Sequence, residues 1–206
     1  SKITLQYQVD KLSILPVTNV VFPPFEPAAK TQATWEWDMT STGGLPPGAD
    51  IRYWWSIEDA LGNKVDTLVA EISFDDGRYK WREVESTGFT LYWYDGSNSF
   101  AQELISAGED AIGKLQNEIG ASPDRRAEVY IYGSSRALQS SMIFPQEWTG
   151  GVSFSDYGIV AIGVSTGQLG WGKRAMAHEM AHLVIHQSIM NGYGVELPTW
   201  LDEGLA

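Results

Sequence analysis

The sequence predicts two domains, an antiparallel β-sandwich in residues 1–80 and an α+β domain in residues 81–206. Residues 3–9 and 51–57 alternate apolar and polar side chains, which is the period of a half-buried strand. A Gly- and Pro-rich stretch at 42–48 is a strong turn signal between such segments. Beyond residue 80, strand and helix patterns follow one another, as in mixed α and β folds.

The N-terminal strands are short and rich in aromatic residues. Further strands are expected at 33–37, 65–69 and 70–74, and this spacing is typical of a sandwich of fibronectin or immunoglobulin type. The tryptophans on these strands are open to two interpretations, a carbohydrate-binding platform or core packing. Core packing is favoured, because aromatic side chains contribute large apolar areas to cores.

The second domain is expected to begin with a strand at 89–94 and a long helix capped by Ser97 or Asn98. Gly120 and Pro123 then end that helix. A strand at 129–132 and a short helix at 134–140 follow. A hairpin then has its two strands at 151–154 and 158–162 and its turn at 155–157. The apolar positions of the long helix recur at the helical period: Phe100, Leu104, Ala107, Ala111, Leu115 and Ile119.

Composition excludes several function classes. The formal net charge of -12 argues against broad electrostatic attraction to nucleic acid or anionic lipid. The chain has no cysteine, so a metal ion must be held by His, Asp or Glu. No apolar run approaches the roughly 20 residues of a membrane span.

The segment 174–186 carries the residues that indicate chemistry. It has no Gly or Pro and is rich in helix-forming residues, so His178 and His182, four positions apart, share one helix face. Two imidazoles so placed can bind one zinc ion, while Glu179 reaches a water molecule as general base, the HExxH arrangement. All 3 histidines of the chain lie in this segment, which weighs against a chance pair.

Glu203 is predicted as the third metal ligand. Pro198 suits the first turn of a second helix, and a loop at 191–194 allows that helix to fold back on the first. Asp202 is expected either to orient a histidine or to act as an acid favoured at a helix N-terminus. His186 lies about 12 Å along the helix from His178, too far to share its ion, and is expected to support or pack beside the site.

The HExxH segment, together with Trp200-Leu201-Asp202-Glu203-Gly204, resembles the gluzincins, a superfamily of zinc peptidases that includes thermolysin-like enzymes. The closer similarity is to bacterial peptidase MA-like proteins, and it covers roughly residues 88–206. The resemblance implies a zincin-like catalytic domain that hydrolyses peptide or protein substrates with Zn²⁺. It also implies that the strand before the metal helix, here 158–162, lies at the cleft edge and pairs with the peptide.

The resemblance also bears on subclass and extent. Gluzincin aminopeptidases carry a glutamate on the strand before the metal helix, and 150–154 has none, so an endopeptidase is expected. Gluzincins continue into a further helical subdomain, so the catalytic domain is expected to be truncated after Ala206. Tyr193 is the only nearby substitute for an oxyanion-stabilising residue.

A different class of function stays open, a non-catalytic surface or adhesion protein with a structural or vestigial metal site. Structural zinc sites usually have four protein ligands, and only three are found in this sequence, which favours catalysis. We expect an extracellular or cell-surface location, with the signal peptide absent from these residues.

Overall fold

The computed structural model describes residues 1–12, 15–143, 145, 150–189 and 197–206. The loop predicted at 191–194, with Tyr193, lies outside these described residues. In chain order the elements are β1 (Lys2–Val9), β2 (Asn19–Val21), α1 (Met39–Thr42), β3 (Ala49–Glu58), β4 (Lys64–Asp66), β5 (Ala70–Phe74), β6 (Arg82–Glu85), β7 (Phe89–Trp93), α2 (Asn98–Ile119), β8 (Ala127–Tyr132), α3 (Ser135–Gln139), β9 (Gly151–Phe154), β10 (Ile159–Gly163), α4 (Leu169–Ile189) and α5 (Thr199–Leu205).

The N-terminal region forms one antiparallel sheet in the order β2-β1-β3-β4, and β5 also pairs with β3. The strand period places Leu5 and Tyr7 of β1 on the same face as Ile51 of β3, and all three are buried. The β-rich character of this region is confirmed. Its described strands belong to a single sheet, so an immunoglobulin-like sandwich is not confirmed.

The prediction of a strand at 33–37 is wrong, because the structure has no helix or strand there. Trp35 and Trp37 instead pack on Tyr7, with ring centroids 5.3 and 4.8 Å away. The two indole rings also stack on each other, with their centroids 5.6 Å apart. The alternation that suggested a paired strand therefore reflects aromatic packing.

The second sheet has the order β6-β7-β8-β10-β9. Its three central strands, β7, β8 and β10, run parallel, and the outer strands β6 and β9 pair antiparallel. Every residue of β10 is buried, as expected for a parallel strand covered on both faces. Together with its helices, this sheet confirms an α+β region in the C-terminal part of the chain.

Helices α2 and α4 cover one face of the second sheet. The Ser97 hydroxyl accepts a hydrogen bond from the Phe100 backbone N–H at 3.2 Å, which caps α2 at its start. Gly120, with a positive φ of 71°, ends the helix in the left-handed conformation that glycine adopts readily. Leu104 of α2 and Leu183 of α4 are fully buried and belong to one apolar cluster with strands β7, β8 and β10.

The opposite face of the second sheet contacts the N-terminal sheet. Tyr130 and Tyr132 of β8 share an apolar cluster with Tyr7 and Ile51. The first sheet ends with β5 at Phe74 and the second begins with β6 at Arg82, and the described strands are not shared between them. Whether 1–80 and 81–206 fold as separate domains stays a prediction.

The hairpin predicted at 151–162 is confirmed, since β9 and β10 pair antiparallel around a turn of 3₁₀ helix at Ser155–Tyr157. The expectation that 158–162 forms the cleft edge is wrong. Because β10 pairs with β8 on its other side, it is an interior strand, and β9 is the outer one. None of the helices in the described residues is both long enough and apolar enough to cross a membrane.

Candidate metal centre

Helix α4 carries both predicted histidine ligands on the face that meets a cavity. Met176, Met180 and Leu183 anchor the helix in the core, since each is fully buried. His178 and His182 lie one turn apart, and their Nε2 atoms are separated by 3.2 Å. His182 is 7% exposed, whereas His178 is half-buried.

Helix α5 brings Glu203 to the same point. A carboxylate oxygen, Oε2, lies 3.7 Å from Nε2 of His178 and 3.9 Å from Nε2 of His182. A tetrahedral ion with bonds of about 2.0–2.1 Å to nitrogen separates its ligand atoms by about 3.3 Å. The three groups therefore have the chemistry and nearly the spacing needed to hold one metal ion.

Glu179 lies in the same cavity and packs against strand β9. It is 8% exposed, and it packs so closely on Gly151 of β9 that a Cβ atom there would lie 2.5 Å from its Oε1. Burial, and to a lesser extent the negative charge of Glu203, raises the pKa of Glu179 to about 7. A carboxyl group with such a pKa can both accept and release a proton near neutrality.

Asp202 bridges two histidines. Its Oδ1 lies 3.1 Å from Nδ1 of His182 and 2.7 Å from Nε2 of His186. Burial alone would raise the pKa of Asp202, but hydrogen bonds from His186 and His182 outweigh it and lower that pKa. Asp202 also lies in the first turn of α5, so both roles considered for it are compatible with its position.

A second trio overlaps the first. His182, His186 and Asp202 also offer three ligand atoms that lie within 4.8 Å of one another. In this trio, however, the carboxylate already makes hydrogen-bond contacts with both rings. The trio with His178 and Glu203 leaves the His182 Nδ1–Asp202 contact intact, which makes it the better candidate for the metal.

The cavity around these residues has a volume of about 880 Å³. Its walls are β9 on one side and α5 on the other, with α4 between them. Sequence reasoning missed Trp171 and Arg174, which also line it. Their positions seven and four residues before His178 put them on the same helix face, so helical spacing alone was a usable signal.

In the α+β region, two histidines on a long helix, a glutamate on a second helix and an outer strand beside them therefore line one cavity. Residues 107–206 match the family model described as Peptidase MA superfamily. No curated protein matches the chain at a significant level. The C-terminal half of the chain is therefore related to the gluzincin-type peptidases of that superfamily, which indicates a metallopeptidase-like function on peptide or protein substrates.

Proposed function

We propose that this chain carries the zinc-binding part of a gluzincin-type metallopeptidase that hydrolyses peptide bonds. His178, His182 and Glu203 are the proposed ligands, and Glu179 is the proposed general base. The observation that carries the proposal is the convergence of the three ligand atoms beside a buried carboxyl group whose pKa is about 7. Zinc is favoured over other metals because two imidazoles and one carboxylate leave one coordination position open.

In the proposed mechanism, zinc supplies a Lewis acid that polarises the scissile carbonyl and acidifies water. Glu179 accepts a proton from the attacking water and passes it to the leaving amine. Its position one residue after His178 turns it about 100° around the helix axis, so it is directed away from the two histidines. Asp202 accepts a hydrogen bond from Nδ1 of His182 and so leaves Nε2 available to the ion.

The outer strand β9 is the proposed site of substrate binding. Gly151, Val152 and Ser153 line the cavity, while the opposite edge of β9 pairs with β10. An extended peptide can add to such an edge through backbone hydrogen bonds. The residues of β9 include no glutamate to bind a free amino terminus, which favours an endopeptidase.

The main alternative is a non-catalytic surface or adhesion protein with a structural or vestigial metal site. Among the described residues, the first trio supplies three ligands and not the four usual for a structural zinc site. The buried Glu179 beside it has no role in a purely structural site. The extracellular or cell-surface location is a further expectation, and cell fractionation with an antibody against the chain would test it.

The test compares Glu179→Gln with Glu118→Gln, an exposed glutamate on α2, in the full-length protein. We expect both variants to keep bound zinc, measured by elemental analysis, because none of the three ligands is changed. Casein hydrolysis should fall roughly 10²- to 10⁴-fold in Glu179→Gln alone, and a chelator should abolish it in every form. Full turnover in Glu179→Gln with zinc still bound would refute the mechanism.

A separate pair of variants tests the ligands. His178→Ala and Glu203→Ala should each lose zinc and activity together, because each removes one of the three proposed protein ligands. Zinc bound at the original stoichiometry and affinity in both variants would refute the ligand assignment. Zinc binding without casein hydrolysis in the full-length protein would support the non-catalytic alternative.

A further inference from the structure

A chain of side-chain contacts connects the outer strand β9 to the metal centre. Ser153 Oγ lies 3.0 Å from Ser155 Oγ, and Ser155 Oγ lies 3.3 Å from Nδ1 of His186. Nε2 of His186 lies 2.7 Å from Oδ1 of Asp202, which is 3.1 Å from Nδ1 of His182. This series of side-chain contacts therefore joins the turn after β9 to both α4 and α5.

Along this series of contacts, each hydrogen-bond donor can face an acceptor. An ionised carboxylate only accepts hydrogen bonds, so the nitrogens of His182 and His186 that face Asp202 each donate one. In a neutral imidazole the other nitrogen is an acceptor. Nδ1 of His186 can then accept from the Ser155 hydroxyl, and Nε2 of His182 is left as a lone-pair donor for a metal ion.

Helix α5 is a short, exposed element that meets α4 through polar contacts. It has only 7 residues, and none of its side chains is buried. Trp200, its largest apolar residue, is 76% exposed. A helix this short is marginal by itself, and within the part of the chain that the structure describes none of its apolar side chains is fully buried. Among the described residues, the hydrogen bonds that Asp202 accepts from His182 and His186 fasten it to α4.

We propose that His186 is a positioning residue that holds Asp202, and with it the ligand Glu203, against helix α4. The inference rests on the proposed function, because it assigns His186 a role in building that metal site. His186 does not contact the ion. It acts through Asp202, which follows Leu201 and precedes Glu203 on the same short helix, and through Ser155 it ties α5 to the strand proposed to bind the substrate.

The test measures the zinc dissociation constant of the full-length protein by competition with a chromogenic chelator. His186→Phe keeps a ring of similar size but cannot donate to Asp202, and it should weaken zinc binding roughly 10- to 100-fold. His186→Gln restores an N–H donor near the position of Nε2, and it should recover most of the affinity. Ser188→Ala, on the same helix near His186, is the matched control and should bind as the parent does.

A double substitution separates positioning from a general loss of stability. If His186 acts through Asp202, then His186→Phe together with Asp202→Ala should weaken zinc binding no more than Asp202→Ala alone. Additive losses, or no rescue by His186→Gln, would overturn the proposal. Should His186→Phe fail to fold, Asp202→Ala provides the second test, and unchanged zinc affinity in that variant would overturn the proposal as well.

The outcomes distinguish this inference from the proposed function. If the parent protein binds no zinc, or if His178→Ala binds it as the parent does, the proposed function fails first. If the parent binds one ion that depends on His178 while His186→Phe binds it equally well, only the positioning role fails. Two ions in the parent and one in His186→Phe would instead make His186 a ligand of a second site, and would overturn the proposal.

Discussion

Replacing Glu179 with glutamine should stabilise the metal-free chain at neutral and alkaline pH. In the folded chain Glu179 is 8% exposed, and burial, with a smaller contribution from Glu203, raises its pKa from 4.5 to about 7. In the unfolded chain the carboxyl group returns to its ordinary pKa near 4.5. Folding therefore favours the neutral carboxyl group and disfavours its anion.

The sign and size of the effect follow from this difference. Below a pH of about 4.5 the Glu179 carboxyl group is neutral in both the folded and the unfolded chain. The stability that comes from burying it in neutral form is then fully present. That contribution decreases as the pH rises and is lost once the pH passes about 7. The loss amounts to about 3 kcal/mol of the free energy of unfolding. Glutamine is neutral throughout, so Glu179→Gln should be more stable by about that amount near pH 8 and nearly unchanged near pH 4.5.

Urea unfolding followed by far-UV circular dichroism measures this difference, with a chelator present at each pH. Glu118→Gln is the control, because Glu118 is an exposed residue near the end of α2. We expect the control to follow the parent at both pH values. A Glu179→Gln variant that gains no stability between about pH 4.5 and 8, relative to the parent, would contradict the reasoning from burial.

The other predictions concern packing around the site and in the core. Gly151→Ala should displace Glu179 and lower casein hydrolysis while zinc content stays unchanged, because its Cβ would lie 2.5 Å from Oε1; full activity would contradict that close contact. Gly113→Ala, whose Cβ meets nothing within 4 Å, should leave hydrolysis intact and raise stability by about 0.5–1 kcal/mol, as urea unfolding can show. Leu183→Ala should lower stability by about 2–5 kcal/mol, and a loss below 1 kcal/mol would be incompatible with its full burial. Ser97→Ala should remove the cap of α2 at a cost of about 1 kcal/mol, and an unchanged unfolding midpoint would show that the cap contributes nothing.

Local sequence patterns were sufficient to predict the long helices and the buried strands. The period of Phe100 and Leu104 predicted α2, and the spacing of His178 and His182 predicted that both rings share one face of α4. Such periods are properties of a few neighbouring residues, so they can be recognised without any knowledge of the fold. Glu203 was predicted as a ligand from a second motif. That motif can approach the HExxH segment only if the chain folds back.

Contacts between distant residues were decided only by the tertiary structure. The alternation around Trp35 and Trp37 looks the same whether the backbone pairs with a strand or the rings cover Tyr7. Likewise, a hairpin pattern does not tell which of its strands is the outer one, because that depends on whether β8 pairs with β10 or with β9.

The sequence by itself selected the residues proposed to hold the metal ion and placed both histidines on one helix, because helix geometry is set by local backbone structure. It did not determine the link from Ser155 through His186 to Asp202, whose members lie on three separate elements. It also did not determine the pKa of Glu179, which depends on burial against Gly151 and on the charge of Glu203. Burial and long-range hydrogen bonds arise only when the elements pack, and for that reason the tertiary structure alone decided them.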